Sequence, residues 1–136
     1  MSSKIRTAQA GLAYVTWQLT RRDWDIQSSQ EGSERSTLIT IKKEGVSPAL
    51  IVQSRAFSKQ DAVRLGDGIT DPSSLRFDWL AITTYVRSDA PICFLLNRID
   101  VMERMKRDPM GPLYWVDPPR YIDSQFKDRW DQIGPV

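Results

Sequence analysis

The stretch Ala49-Leu50-Ile51-Val52-Gln53-Ser54-Arg55-Ala56-Phe57 decides the fold. Four apolar residues open it, and Gln53 and Arg55 then follow two positions apart. Its apolar run predicts a central strand. Side chains two apart on a strand share a face. An amide and a guanidinium therefore point together out of an otherwise buried element, which marks a candidate site.

Working outward, Glu44-Gly45-Val46-Ser47-Pro48 is a turn that feeds this strand, and Ser36 to Lys43 before it is β-branched and strand-like. The two predict an antiparallel pair. Trp24-Asp25-Ile26 predicts a short strand, and 27–35, rich in Ser, Gln, Glu and Gly, reads as a loop. Upstream, Ile5, Ala8, Leu12, Val15 and Leu19 recur at steps of three and four, one face of an α-helix, widened by Ala10, Ala13 and Trp17. Arg21 and Arg22 stand near its end, where cations suit the helix dipole.

Downstream, 58–75 is polar and carries Gly66, Gly68 and Pro72, a long excursion over the sheet. Residues 77–86 and 92–96 predict two strands joined by a turn at Arg87-Ser88-Asp89-Ala90-Pro91. Asn97 caps a short helix, with Asp100 at the capping-box position and Val101, Met102 and Met105 on its apolar side; 108–112 ends it. Leu113-Tyr114-Trp115-Val116 predicts a final strand, broken by Asp117-Pro118-Pro119. Residues 123–133 predict a closing amphipathic helix with Phe126, Trp130 and Ile133 as its buried stripe. Neighbouring strands with helices at the ends predict an α/β (α+β) fold: one domain over 1–136, with a mixed sheet of about five strands flanked by helices.

Composition narrows the chemistry. A chain of 136 residues, 40% hydrophobic and 26% charged, can build a core without being a membrane or disordered sequence. The single cysteine, Cys93, rules out an internal disulfide and fits a reducing compartment. Met1-Ser2-Ser3-Lys4-Ile5-Arg6 lacks the apolar core of a signal peptide, so the expected location is cytoplasmic, with no membrane partner. There is no histidine, which removes Ser-His-Asp, Cys-His and His-ligated zinc chemistry. A net charge of +2 does not by itself argue for nucleic acid.

The order of these segments resembles the restriction-endonuclease-like superfamily, the PD-(D/E)XK nucleases, and within it small resolvase-like members. The first helix followed by Arg21-Arg22-Asp23-Trp24-Asp25-Ile26 is similar to their opening helix and RRGW turn. Arg35-Ser36-Thr37-Leu38 stands where they carry an aspartate, and Val52-Gln53-Ser54-Arg55-Ala56 where they carry an E/Q-x-K strand. Phe77-Asp78-Trp79, 90–96 and 126–133 are similar to their later strands and terminal helix. The resemblance implies a restriction-endonuclease-like core and a site at Thr37, Gln53 and Arg55. In that chemistry two carboxylates hold Mg²⁺, which activates a water, and a lysine assists. Here threonine, glutamine and arginine fill the three positions, and Gln9, Gly11 and Leu12 occupy the stretch of the first helix that often carries a further acid. Arginine stays protonated and cannot serve as a base. The expected site is thus degenerate, without a cofactor. Mg²⁺ enters only if Glu31, Glu34 or Asp78 supplies a relocated acid.

Three functions fit this reading. One is a non-catalytic nucleic-acid-binding module, with Arg21, Arg22, Lys42, Lys43, Arg55 and Lys59 as phosphate contacts. Another is an active Mg²⁺-dependent endonuclease acting on branched or duplex DNA. The third is a protein-binding inhibitor or assembly subunit using exposed aromatics at Tyr114-Trp115 and Tyr121. A homodimer is compatible with each.

Overall fold

In the computed structural model, residues 2–65, 72–110 and 113–136 are described. Helix α1 (Ser3–Thr20) opens the chain, capped by the Ser2 hydroxyl, which accepts from the Ile5 N–H at 3.2 Å. A meander follows: β1 (Asp25–Glu31), β2 (Thr37–Lys43) and β3 (Val46–Ala56). Strand β3 lies parallel to β5 (Trp79–Thr84), and β6 (Ile92–Asn97) returns antiparallel, so the mixed sheet runs β1-β2-β3-β5-β6. A parallel step needs a crossover of a dozen residues or more. Residues 57–78 supply it, and this accounts for the polar excursion. Its Gly66 and Gly68 lie outside the described residues.

The crossover also contributes β4 (Val63–Arg64) to a small second sheet. There, β8 (Tyr114–Val116) lies between β4 and β7 (Lys106–Arg107). Helix α2 (Arg98–Arg104) starts with the expected capping box: the Asn97 side chain accepts from the Asp100 N–H at 2.8 Å, and Asp100 accepts from the Asn97 N–H at 2.9 Å. The chain is therefore α+β, a five-stranded mixed sheet with helices on it.

Each face of the sheet carries its own core. Val15 and Leu19 of α1 meet Ile39, Ile41, Leu50 and Val52 on one face. On the other, Leu80, Ile82, Phe94 and Leu96 meet Val63, Val101, Val116, Tyr121 and Phe126. Strand β5 is buried at all six positions, which is why Trp79 to Ile82 reads as an unbroken apolar run. Gly11 lets α1 approach β3 closely: a Cβ there would overlap that of Ala56.

Several expectations change. The loop read at 27–35 is largely strand, since β1 runs to Glu31. It is an edge strand exposed to water on most of its length, so it shows none of the apolar alternation that betrays a strand. The closing helix at 123–133 does not form. Phe126, Trp130 and Ile133 are buried as expected, but Phe126 joins one core and the other two join the opposite one. The segment instead lies along β6: the Leu95 N–H donates to the Phe126 carbonyl at 2.8 Å, and the Asp128 N–H to that of Cys93 at 2.9 Å. Only a turn of 3-10 helix remains, at Trp130–Gln132. The Asp117-Pro118-Pro119 break is followed at once by a short helix, α3 (Pro118–Tyr121), because proline suits a first helical turn. Among the described residues β1 has no outer neighbour, whereas the outer edge of β6 is covered. No helix of the described residues is long and apolar enough to cross a membrane.

Candidate functional site

Pairing register places the expected site residues on two faces. Thr37 lies opposite Ser54, on the α1 side with Val52 and Ala56. Gln53 and Arg55 pair with Leu80 and Ile82, on the second face. The structure therefore brings Gln53 and Arg55 together and keeps Thr37 apart from them, with the sheet between.

On the α1 side, Thr37 lines a cleft of ≈ 480 Å³ with Ile5, Ala8, Gln9, Leu12, Glu31 and Arg35 among its walls. Gln9 and Leu12, which stand where a further helix acid is often found, face Thr37 across this cleft. Glu31 is opposite Thr37 in the β1–β2 register, so one of the candidate acids does reach that residue. Ser54, next to Thr37 in the sheet, has a buried hydroxyl without a hydrogen-bond partner among the described residues.

On the second face a group of side chains gathers at the exit of β3. Arg55 lies across the ring of Phe57, its Cζ 4.9 Å from the centroid. Its Nε is buried and has no hydrogen-bond partner among the described residues. Burial pulls the guanidinium below its ordinary range; Glu34 and then Asp61 push it back up, and Arg35 lowers it further. Buried Gln53 lies two residues before it. Glu34, the second candidate acid, approaches from the β1–β2 connection and pairs with Arg64 at 3.4 Å. The Arg64 Nε is likewise buried and unpartnered among the described residues, and its Cζ lies 5.6 Å from the centroid of the Trp115 ring. Glu34 and Arg35 both adopt left-handed backbone, φ 56° and 57°. Two non-glycine residues in that region cost roughly 1 kcal/mol or more each. The turn sends Arg35 to the α1 cleft and Glu34 toward Arg64 and Arg55.

Asp78, the remaining acid, is committed elsewhere. Its carboxylate accepts from the Ile51 N–H at 2.8 Å and pairs with Arg98 at 3.4 Å. Among the described residues no group of three Asp, Glu or Cys side chains gathers closely enough to hold a metal ion.

The six cations proposed for nucleic acid divide between the ends of the sheet. Arg21, Arg22, Lys42 and Lys43 sit where α1 ends and the β2–β3 turn begins. Nine residues of β3 separate that end from Arg55, roughly 30 Å at strand rise. Arg22 is held by Asp131 at 3.1 Å and by the Gln18 side chain at 2.7 Å. Arg21 lies over Trp17 and Lys43 over Trp24, at 4.7 and 4.9 Å from the ring centroids. Lys42 faces Asp25 across the sheet. Of the six, only Arg55 and exposed Lys59 are at the exit of β3. Tyr121, expected as an exposed aromatic, is fully buried, with its hydroxyl donating to the Asp61 carbonyl at 2.7 Å. Tyr114 and Trp115 are half-buried.

Arg64, Lys106 and Phe57 were not singled out by sequence. Phe57 ended the organising strand, but Arg64 fell inside the polar excursion and Lys106 beyond a helix end. Arg64 and Lys106 pair non-locally with β8, for which a two-residue strand gives no periodic signal.

No family model, curated protein or solved structure matches the chain.

Proposed function

We propose that this chain is a nucleic-acid-binding module on a restriction-endonuclease-like scaffold that no longer hydrolyses its ligand. The observation that carries the reading is Arg55 at the end of β3. A guanidinium mostly withdrawn from water, with its Nε unpartnered among the described residues, calls for an anion. A phosphate oxygen meets that need through charge-assisted bonds, and the Gln53 amide beside it offers further donors. Support for the scaffold comes from the central strand position of Gln53 and Arg55, the mixed order of five strands and the first helix packed on one face. The loss of hydrolysis follows from residue chemistry: threonine and glutamine offer neutral oxygens, and they point to opposite faces.

Fluorescence anisotropy with labelled single-stranded, duplex and branched DNA, titrated across salt, tests this. Binding should weaken as salt rises, and Arg55→Gln should lower affinity about tenfold and the salt slope by about one. The same complexes in Mg²⁺ or Mn²⁺ should stay intact. Cleavage abolished by Arg55→Ala would establish the endonuclease instead. An absence of binding at low salt would turn the search to a protein partner.

A further inference from the structure

Resting on the nucleic-acid reading, we infer that the Arg55 site continues into a track for a single strand, laid over the small sheet with Trp115 as its stacking platform. The register places Arg64 opposite Trp115 on one side and Lys106 opposite it on the other. Directly opposed residues in a sheet share a face. Arg64, Trp115 and Lys106 therefore form a row of cation, indole and cation across three strands, spanning roughly 10 Å at ordinary strand spacing. Val63 and Val116, one residue along, point the other way into the core, which holds this row outward.

The row leads back to Arg55. Glu34 joins Arg64 to the neighbourhood of Arg55, and Arg55 lies on Phe57, so a second cation–aromatic pair stands at its inner end. Cations interleaved with aromatic faces are what an unpaired strand requires: its phosphates meet charge while its bases lie on rings. A duplex keeps its bases stacked on each other and has none to offer Trp115. Two guanidinium nitrogens, the Nε of Arg55 and of Arg64, are buried without a hydrogen-bond partner among the described residues, and both are donors that phosphate oxygens would satisfy. Glu34 and Asp61 are the acids named at this end. Glu34 holds Arg64 in place until a phosphate shares or takes over that contact.

The experiment compares labelled oligothymidylate of about 15 nucleotides with a duplex of the same length. The single strand should bind more tightly. Trp115→Ala should weaken its binding about tenfold and leave duplex binding unchanged, while Trp115→Phe retains most of it. Lys106 is exposed, so Lys106→Gln leaves the fold untouched; it should lower the salt slope by about one. Far-UV circular dichroism checks that the Trp115 variants fold. If Trp115→Ala and Lys106→Gln bind the single strand like the parent while Arg55→Gln does not, the track is refuted and the Arg55 site stands. If the parent binds neither probe at low salt, both fall together.

Discussion

Gly11 provides the sharpest test of how α1 sits on the sheet. It lies in mid-helix, where glycine costs about 1 kcal/mol relative to alanine. In an unhindered helix Gly11→Ala would thus stabilise. Here the new Cβ would overlap the Cβ of Ala56, with the Ser54 hydroxyl 3.7 Å away. Neither Cβ can rotate aside, since each is fixed by its own backbone. The helix must lift from β3, and overpacking of this kind costs about 1–3 kcal/mol. A clash of two backbone-anchored atoms falls at the upper end, leaving a net loss of about 2 kcal/mol. For a chain of this length that is a fall in Tm of roughly 6–8 °C. Thermal and urea unfolding followed by circular dichroism would measure it. In an Ala56→Gly background the same Gly11→Ala change should become stabilising, because the opposing Cβ is gone. A rise in Tm for Gly11→Ala alone would show that α1 does not meet β3 at this point, and the packing of that face would have to be redrawn.

Four further outcomes are expected. Arg55→Gln should hold or raise Tm while losing DNA affinity, because it removes a poorly solvated cation; a clear fall in Tm would show that Arg55 serves the fold instead. Asp100→Ala should cost about 2–3 kcal/mol, since it removes both half of the capping box and the partner of Arg129 at 2.9 Å; hydrogen exchange should speed up at Leu95 and Asp128, and unchanged exchange would refute the tether. Burial pushes the Cys93 thiol and the Tyr121 phenol up to about 12, from 9.0 and 10.0. Both groups bind their proton more tightly folded than unfolded, so the stability involved is intact below pH 9 and drains as pH rises to 12, by about 4 kcal/mol at pH 11; a flat urea midpoint from pH 9 to 11 would contradict this. Cys93 should accordingly react with a thiol reagent at pH 8 only at the rate of unfolding, and fast stoichiometric labelling of the native protein would argue against its burial.

Local signals were easiest to read where a segment's own residues determine its structure. The three-and-four spacing of Ile5 to Leu19 marks α1, the Asn97–Asp100 spacing marks the cap of α2, and the apolar run from Trp79 marks a strand buried on both faces. Burial of Phe126, Trp130 and Ile133 was legible too, but their helical spacing misled. The backbone from 123 is shaped by hydrogen bonds to β6, more than 30 residues earlier in the chain, and Asp128 turns through φ 52° to make them. Strand β1 was hidden because an exposed edge needs no apolar residues. Gln53 and Arg55 could be placed on one face from their spacing alone. The separation of Thr37 from them could not, because it depends on the register of one strand against another.

The sheet's two margins differ, and this sets a limit on self-association. The margin at β6 is occupied by the chain's own closing segment, and the margin at β1 is free among the described residues. Joining two molecules through their five-stranded sheets uses the one margin of that sheet free in each among the described residues. The joined sheet then has no free margin of its own, so association through β1 ends at two copies.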